Sequence, residues 1–454
     1  MNDTIAAIAT GMAVTAIGIV RVSGPRAVQA AEAVFTPADG RPLGAHADRQ
    51  LVYGRLRGRD GADIDLCLAT VSRAPHSYTG EDTAELQCHG SPAVLREALG
   101  ALFSQGARQA LPGEFTRRAF LNGRMDLVQA EAVIDIIEAE TAEGAKNAVG
   151  QLGGALSRRI GAVYSALLDE EAHFGALLDY PDEDIEPFEL EKCRAALDGA
   201  RAELRSILGT FERGRILREG VPAALIGRPN AGKSSLMNAL LGYERAIVTA
   251  APGTTRDTIE EKAVLGGVAV RLTDTAGLRE ARGEAERLGV ERALSAAESA
   301  ELVLAIFDGS QPLTAADEET LAAARAARRA VAVVNKRDLP LALDLSRLAG
   351  FEAVVELSAK TRMGLDGLCA AIARLFPAVP APAGEILTNI RQAEAAQRAL
   401  AALDAAVSAL DGGLTPDAVL TEAEGALSAL GELTGRTVRE DVVDRIFERY
   451  CVGK

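Results

Sequence analysis

Gly227-Arg-Pro-Asn-Ala-Gly-Lys-Ser234 is the stretch on which the reading of this chain turns. It fits the pattern of a glycine, four residues and then Gly-Lys-Ser. Glycines there let the backbone curl so that successive amide N–H groups face a β-phosphate. Lys233 can bridge the β- and γ-phosphates, and Ser234 can offer its hydroxyl to Mg²⁺. The flanks agree with this. Val221 to Ile226 is a short apolar run suited to a buried parallel strand, and Ser234 to Leu241 reads as the opening of a helix. Asn230, Ala231, Gly232, Lys233, Ser234 and Ser235 form the first candidate binding set. The loop fixes a nucleoside triphosphate, but not which one.

Motifs further along settle the base and the metal. Val268 to Thr273 reads partly as a strand and ends at Asp274-Thr275-Ala276-Gly277. An Asp at a strand end can hold Mg²⁺ through water, and the Gly277 amide can touch a γ-phosphate and sense its loss. Val331 to Val334 is another buried-strand candidate, ending at Asn335-Lys336-Arg337-Asp338. The Asp338 carboxylate can accept from guanine N1 and N2, a pair adenine lacks, so it selects GTP over ATP. Lys336 can lie along the base. Val354 to Leu357 leads into Ser358-Ala359-Lys360, whose backbone can meet guanine O6. Pro252-Gly253-Thr254-Thr255-Arg256-Asp257 supplies Thr255 as a second Mg²⁺ hydroxyl on a switch loop. In this order the motifs define a GTPase domain of about 160 residues, an ordinary domain size.

One common part is missing. Many GTPases place a glutamine directly after the Asp-x-x-Gly glycine to orient water, and here Leu278 stands there. Glu284 and Glu286 follow shortly; either can orient water, and both can equally sit on a solvated helix face. No arginine is obviously placed as a finger. Asn230 can turn its amide oxygen to a monovalent cation that supplies charge between the phosphates, or it can brace the loop.

The chain has 454 residues, room for two to four domains. Its formal net charge of −15 argues against non-specific nucleic-acid binding but leaves room for a local tRNA contact. There is no run of about eighteen apolar residues, so no membrane span is expected. Met1-Asn2-Asp3-Thr4 does not begin a secretory signal. Five scattered cysteines suit reduced thiols in a cytoplasmic protein.

Residues 1–120 read as α+β, with strand-like runs at Ala16 to Val22 and Ile64 to Val71 among frequent turn signals. Residues 121–217 read as helices; Leu127 to Ile137 carries apolar positions at three and four spacing. The GTPase motifs occupy 218–380, Phe376 to Pro382 is proline-rich, and helical sequence resumes over 381–454. Helices on both sides suggest one helical domain with the GTPase inserted, although two separate bundles would look the same. The chain ends Cys451-Val-Gly-Lys454, poorly suited to prenylation. Such a tail either frays or reaches back into a site.

Several runs resemble the MnmE (TrmE) family of tRNA-modification GTPases. They are Ile19-Val-Arg-Val-Ser-Gly24, Ser77-Tyr-Thr-Gly-Glu-Asp82, Glu85-Leu-Gln-Cys-His-Gly90 and Pro112-Gly-Glu-Phe-Thr-Arg-Arg-Ala-Phe-Leu-Asn-Gly123, with Arg218-Glu-Gly220, the GTPase motifs and the Cys-x-Gly-Lys end. The resemblance implies an N-terminal α+β domain that binds a tetrahydrofolate derivative (5-formyl or methylene) and helps form a homodimer. It also implies a discontinuous all-α domain and an inserted Ras-like α/β P-loop GTPase domain. The implied partner is the FAD protein MnmG, in a heterotetramer that adds a carboxymethylaminomethyl group at carbon 5 of the wobble uridine of certain tRNAs. Hydrolysis in the family depends on K⁺ and on GTPase-domain dimerisation.

Carried over by motif, Asn230, Thr249, Ala251 and Thr254 would ligate K⁺, Ser234 and Thr255 would ligate Mg²⁺, and Glu286 would orient water. Thr249, Ala250, Ala251, Pro252, Gly253 and Thr254 would line the GTP site. Arg21, Glu85, Arg124 and Lys454 would contact folate. The family usually has lysine where Arg124 stands, a Pro-Pro-Gly-containing segment where Ala9 to Thr15 stands, and arginine at Leu111. These departures cluster in the N-terminal domain. Two other classes compete. A ribosome-assembly GTPase switch would have similar GTPase motifs but usually carries a basic RNA-binding appendage. A folate enzyme with a vestigial GTPase would not keep every nucleotide motif.

Overall fold

Val52–Arg57 alternates buried and exposed residue by residue, with Val52, Gly54 and Leu56 inward, as in a sheet packed on one face only. The structure, a computed structural model, describes residues 3–179, 189–242, 260–274, 297–377 and 382–454. In its N-terminal part seven strands form one sheet: β1 (Ile5–Ile8), β2 (Ile17–Ser23), β3 (Phe35–Pro37), β4 (Val52–Arg57), β5 (Asp63–Ser72), β6 (Thr83–His89) and β7 (Arg108–Gln109). The spatial order is β3-β4-β5-β6-β2-β1-β7, antiparallel except for the parallel β1–β7 pair. The runs expected as strands at 16–22 and 64–71 are β2 and β5. Helices α1 (Ala27–Val34) and α2 (Pro92–Ser104) cover one face, with Val20, Val22, Leu56, Leu86, Leu95 and Leu102 in the core between.

A helical stretch follows: α3 (Glu114–Leu121), α4 (Leu127–Glu138), α5 (Ala142–Leu152), α6 (Ala155–Asp179), α7 (Leu190–Leu208) and α8 (Phe211–Glu219). Then comes a second, six-stranded sheet of β8 (Val221–Ile226), β9 (Glu260–Leu265), β10 (Val268–Asp274), β11 (Leu302–Asp308), β12 (Ala330–Asn335) and β13 (Ala353–Glu356), in the order β13-β12-β11-β8-β10-β9. All neighbours are parallel except the β9–β10 hairpin, turned by Gly266 and Gly267 at φ 60° and 82°. Two consecutive positive φ values are what a tight type I′ hairpin demands, and glycine adopts them without strain.

Every residue of β11 and β12 is buried, because apolar layers lie on both faces. One layer gathers Leu225, Leu236, Leu240 and Ile372 under α9 (Lys233–Leu241) and α11 (Leu365–Leu375). The other gathers Ile226, Phe307, Leu321 and Ala324 under α10 (Ala315–Ala326). This is a P-loop α/β domain.

The chain closes with α12 (Ile390–Asp411), α13 (Pro416–Thr434) and α14 (Glu440–Phe447). Contacts divide the protein into two compact units: Met1–Ile134 with Gln151–Leu204 and Glu394–Lys454, and Asp135–Gly150 with Arg205–Ala393. Within the first, helices from before and after the GTPase segment pack together. α6 lies along α13, Arg201 of α7 donates to Asp404 of α12 at 2.7 Å, and Arg194 pairs with Asp411. The helical domain is therefore discontinuous, with the GTPase inserted. Parts of the helical stretch, 135–150 and 205–217, group with the GTPase unit. Among the described residues no helix is long and apolar enough to cross a membrane.

Candidate functional sites

The loops that follow β8, β12 and β13 all leave the C-terminal edge of the parallel strands, where open α/β sheets bind ligands. The loop after β8 is tightly built. Gly227 has φ 155°, and a Cβ there would lie 2.5 Å from the Ile306 carbonyl oxygen. Asn230 is exposed and left-handed at φ 63°; Gly232, at φ 102°, starts α9. Lys233 Nζ donates to the carbonyls of Gly227 and Arg228 at 2.6 and 3.0 Å, so its ammonium sits within the loop's own curve. Ser234 and Ser235 are exposed on the first turn of α9.

Asn335 joins three of the motifs. Its side-chain amide donates to the Ala231 carbonyl at 2.9 Å, and its Oδ1 accepts from Ala359 N at 3.0 Å and Lys336 N at 2.8 Å. With Asn335 only 2 % exposed, leaving these groups unpaired would be costly. Ser358 Oγ donates to Asp338 Oδ1 at 2.7 Å, and this bond holds the Asp338 carboxyl below its usual range. Asp338 thus presents an ionised acceptor next to the exposed Lys360.

Asp308, at the end of β11, is a residue that sequence reasoning missed. It is almost fully buried; Lys336 Nζ donates to its Oδ2 at 2.7 Å, and Ser310 donates to its Oδ1 from N and Oγ at 3.0 and 2.6 Å. Burial alone would push the Asp308 carboxyl up, but these partners hold it below its ordinary value. The lysine expected along the base therefore rests on Asp308. The readable signal was the apolar run Leu302 to Phe307 ending in an acid. Arg228 lies 3.4 Å from Asp317 and 3.7 Å from Asp308, so this loop arginine is held within its own domain. Thr249, Ala250, Ala251, Pro252, Gly253, Thr254, Thr255, Thr275, Ala276, Gly277 and Glu286 lie outside the described residues, as do Leu278 and Glu284. Asp274 ends β10, beside β8.

A second polar site occupies the N-terminal sheet. Arg21 on β2 and Glu85 on β6 are register partners, with Nε and Oε1 2.9 Å apart. The guanidinium lies 5.5 Å from the Tyr78 ring centroid and 5.7 Å from that of Phe115. A cavity of about 280 Å³ opens here, lined among others by Arg21, Arg49, Thr70, Tyr78, Glu85 and Gln87. The chain's end docks beside it. Lys454 O accepts from Phe115 N at 3.2 Å, Val452 bridges to Pro112, and Tyr450 Oη donates to Ala130 O at 2.6 Å. The partly buried Lys454 ammonium is pushed down by burial and then by the charge of Arg21, against the pull of Glu85. The tail therefore reaches back, and Arg21, Glu85 and Lys454 converge. Arg124 is exposed, with its stem near Gly80, two residues along the loop from Tyr78.

The motifs around this site are explained by an ionic cluster around one buried arginine. Arg118, 1 % exposed, donates to Asp3 at 2.9 Å, Glu114 at 3.0 Å and Glu81 at 3.1 Å, and Ser23 donates to Glu81 at 2.8 Å. It ties β2, the Ser77–Asp82 loop and α3 into one frame.

Two family models match: "MnmE helical domain" over residues 127–451 and "GTP-binding protein TrmE N-terminus" over residues 4–124. The chain belongs to the MnmE family. Relatives agree over their whole length. The tRNA modification GTPase MnmE of Symbiobacterium thermophilum is 47% identical, with 100% of each chain covered. That of Chloroflexus aurantiacus is 46% identical, again with 100% of both covered. That of Geobacillus kaustophilus is 40% identical, covering 100% of this chain and 99% of its own. Among solved structures, the G domain of the T. maritima FeoB iron transporter matches 34% of this chain and 97% of its own at 26% identity. Its TM-score of 0.25 leaves the fold to rest on the sheet order described above. Members of the family are GTP-hydrolysing enzymes, and the intact phosphate loop and guanine motifs here agree with that.

Proposed function

We propose that the protein hydrolyses GTP with Mg²⁺ and K⁺. We further propose that, with the FAD protein MnmG, it adds a carboxymethylaminomethyl group at carbon 5 of the wobble uridine of certain tRNAs. The observation that carries the nucleotide half is the Asn335 side chain, which links the phosphate loop to both guanine-reading segments. Whole-length identity to tRNA modification GTPases supports the other half.

The residues take definite roles in this reading. Asp338 reads guanine N1 and N2, and the Ala359 amide meets O6. Lys233 leaves the loop carbonyls and turns to the β- and γ-phosphates. The exposed Ser234 hydroxyl and Thr255 suit Mg²⁺, and the exposed amide of Asn230, with Thr249, Ala251 and Thr254, suits K⁺. K⁺ supplies the positive charge that an arginine finger supplies elsewhere. Glu286 orients water in place of the absent glutamine, and dimerisation of the GTPase domains completes the site.

The Arg21–Glu85–Lys454 site takes the tetrahydrofolate derivative. Charges of both signs beside an aromatic ring fit a ligand with amide-like ring edges and a glutamate tail, and Arg124 adds a cation at the rim. The divisions at 1–120, 121–217, 218–380 and 381–454, a homodimer joined to MnmG, and a cytoplasmic location complete the proposal. Mass spectrometry of wobble nucleosides from a strain lacking the protein tests it. Loss of the modified nucleoside, restored by the intact gene, is expected; normal modification without the protein overturns the reading.

A further inference from the structure

Two cysteines of the N-terminal sheet lie outside both sites. Cys67 on β5 pairs with Gly54 on β4, and Cys88 on β6 pairs with Gly18 on β2. One step beyond the Leu68–Gln87 pair, the same antiparallel register sets Cys67 opposite Cys88. The row across four strands is therefore Gly54, Cys67, Cys88, Gly18. Both thiols are free and buried. A Cβ at Gly54 would meet Phe35 Cζ at 2.5 Å, and one at Gly18 would meet Leu95 Cδ1 at 2.6 Å. Phe35 and Leu95 thus fill the flanks of the pair.

Beside the pair stands Asp65, two residues before Cys67 and so on the same face of β5. One ligand atom from each of Asp65, Cys67 and Cys88 lies within 4.8 Å of the others. Asp65 is held in place: His89 N donates to its Oδ2 at 2.8 Å, Leu66 N donates to its Oδ1 at 2.8 Å, and His89 Nδ1 lies 2.7 Å from Oδ1. The Asp65 side chain is 8% exposed and that of His89 is 75% exposed, so the buried pair connects to solvent at this end of the sheet.

From this juxtaposition we infer that Asp65, Cys67 and Cys88 form a binding site for a borderline-soft divalent ion, Zn²⁺ in particular, with water in the fourth position and His89 as the outer partner of Asp65. Tetrahedral Zn²⁺ with two sulfur ligands and one oxygen ligand spaces its ligand atoms about 3.5–3.8 Å apart, within the observed limit. Two sulfur donors reject Mg²⁺ and K⁺, so this site is chemically separate from any ion at the nucleotide. One ion takes two thiolates and releases their two protons, so binding strengthens as pH rises. The bound ion pins β5 to β6 three residues from Glu85.

The test uses the full chain carrying Cys451→Ser, which removes the one exposed thiol, reduced and freed of metal, titrated with Co²⁺. A thiolate-to-cobalt absorption band saturating at one ion per chain and displaced by Zn²⁺ is expected. Asp65→Asn, at the sheet's end, is expected to weaken Co²⁺ binding at least tenfold while circular dichroism is unchanged. Absence of the band, or an unchanged affinity in folded Asp65→Asn, overturns the assignment.

Discussion

The Asn335 side-chain amide donates to the Ala231 carbonyl at 2.9 Å, so the end of β12 holds the crest of the phosphate loop. The packing is close: a Cβ at Gly232 would fall 2.2 Å from Asn335 Nδ2. Asn335→Ala leaves the buried Ala231 carbonyl and Ala359 amide unpaired, at a cost of about 2 kcal/mol of stability. It also frees two loops that meet one ligand. Nucleotide titration is expected to show GTP and GDP weakened alike, by at least tenfold. Unchanged affinity would refute the bracing role.

In the proposed guanine site Asp338 offers a carboxylate to the two N–H groups of the base. Asp338→Asn replaces an acceptor with a donor, which should lower GTP affinity by about 100-fold, since one partner is left mismatched. It should favour xanthosine triphosphate, whose ring carries a carbonyl in place of the amine. Competition between the two nucleotides measures the exchange. The carboxyl sits below its ordinary value of 3.8 because of Ser358. Its ionised form is therefore present at neutral pH and above, and guanine binding should fall only as pH drops below the usual carboxylate range.

The Arg118 cluster should make the stability of the N-terminal domain sensitive to acid. Burial of Glu114 alone would raise its carboxyl, but Arg108, the Leu111 N–H and Arg118 bring it below the ordinary 4.5. A carboxyl depressed in the folded state contributes stability above its unfolded value, and that stability is lost as pH falls through the folded value. Urea midpoints should thus drop on acidification below about pH 4.5, with the drop much reduced in Glu114→Gln. Arg118→Met takes the shared guanidinium from Glu81, Asp3 and Glu114, with Arg108 still paired to Glu114, and should cost about 3 kcal/mol.

Reading outward from the phosphate loop was sufficient for β8, β10, β12, β13 and α9, because motif and strand are contiguous there and local sequence decides both. The parts not legible are joined across the chain. Glu81, Glu114 and Asp3 converge on Arg118 from three separate segments, and only the fold shows that these charges meet on one buried arginine. The chain's end posed the same difficulty. Sequence left it either frayed or docked, and the deciding contacts are to Pro112, Phe115 and Ala130, more than three hundred positions earlier. Asp308 was overlooked for a different reason: β11 carries no GTPase motif to draw attention to its last residue.

Gly453 permits the docking of the tail. It has φ 102°, and a Cβ would lie 2.4 Å from the Ile8 carbonyl oxygen. Gly453→Ala should therefore displace Lys454 from Arg21 and Glu85, with backbone strain of about 1–3 kcal/mol. Binding of a tetrahydrofolate derivative should weaken at least tenfold, while GTP affinity stays as it was. Equal folate binding in the variant would show that the tail plays no part in that site.

Leu278 removes the usual water-orienting glutamine, and Arg228 is engaged by Asp308 and Asp317, which leaves it poorly placed as a finger. The missing orientation and charge must come from elsewhere. Glu286→Ala should lower the hydrolysis rate by at least 100-fold, with GTP affinity retained because the role proposed for this residue is on water and not on the nucleotide. Asn230→Ala should abolish the difference between K⁺ and Na⁺ in the same assay. Hydrolysis at equal rates in the two salts by the unaltered protein would remove the need for a cation at Asn230. The positive charge would then have to come from Lys233 and the loop amides alone.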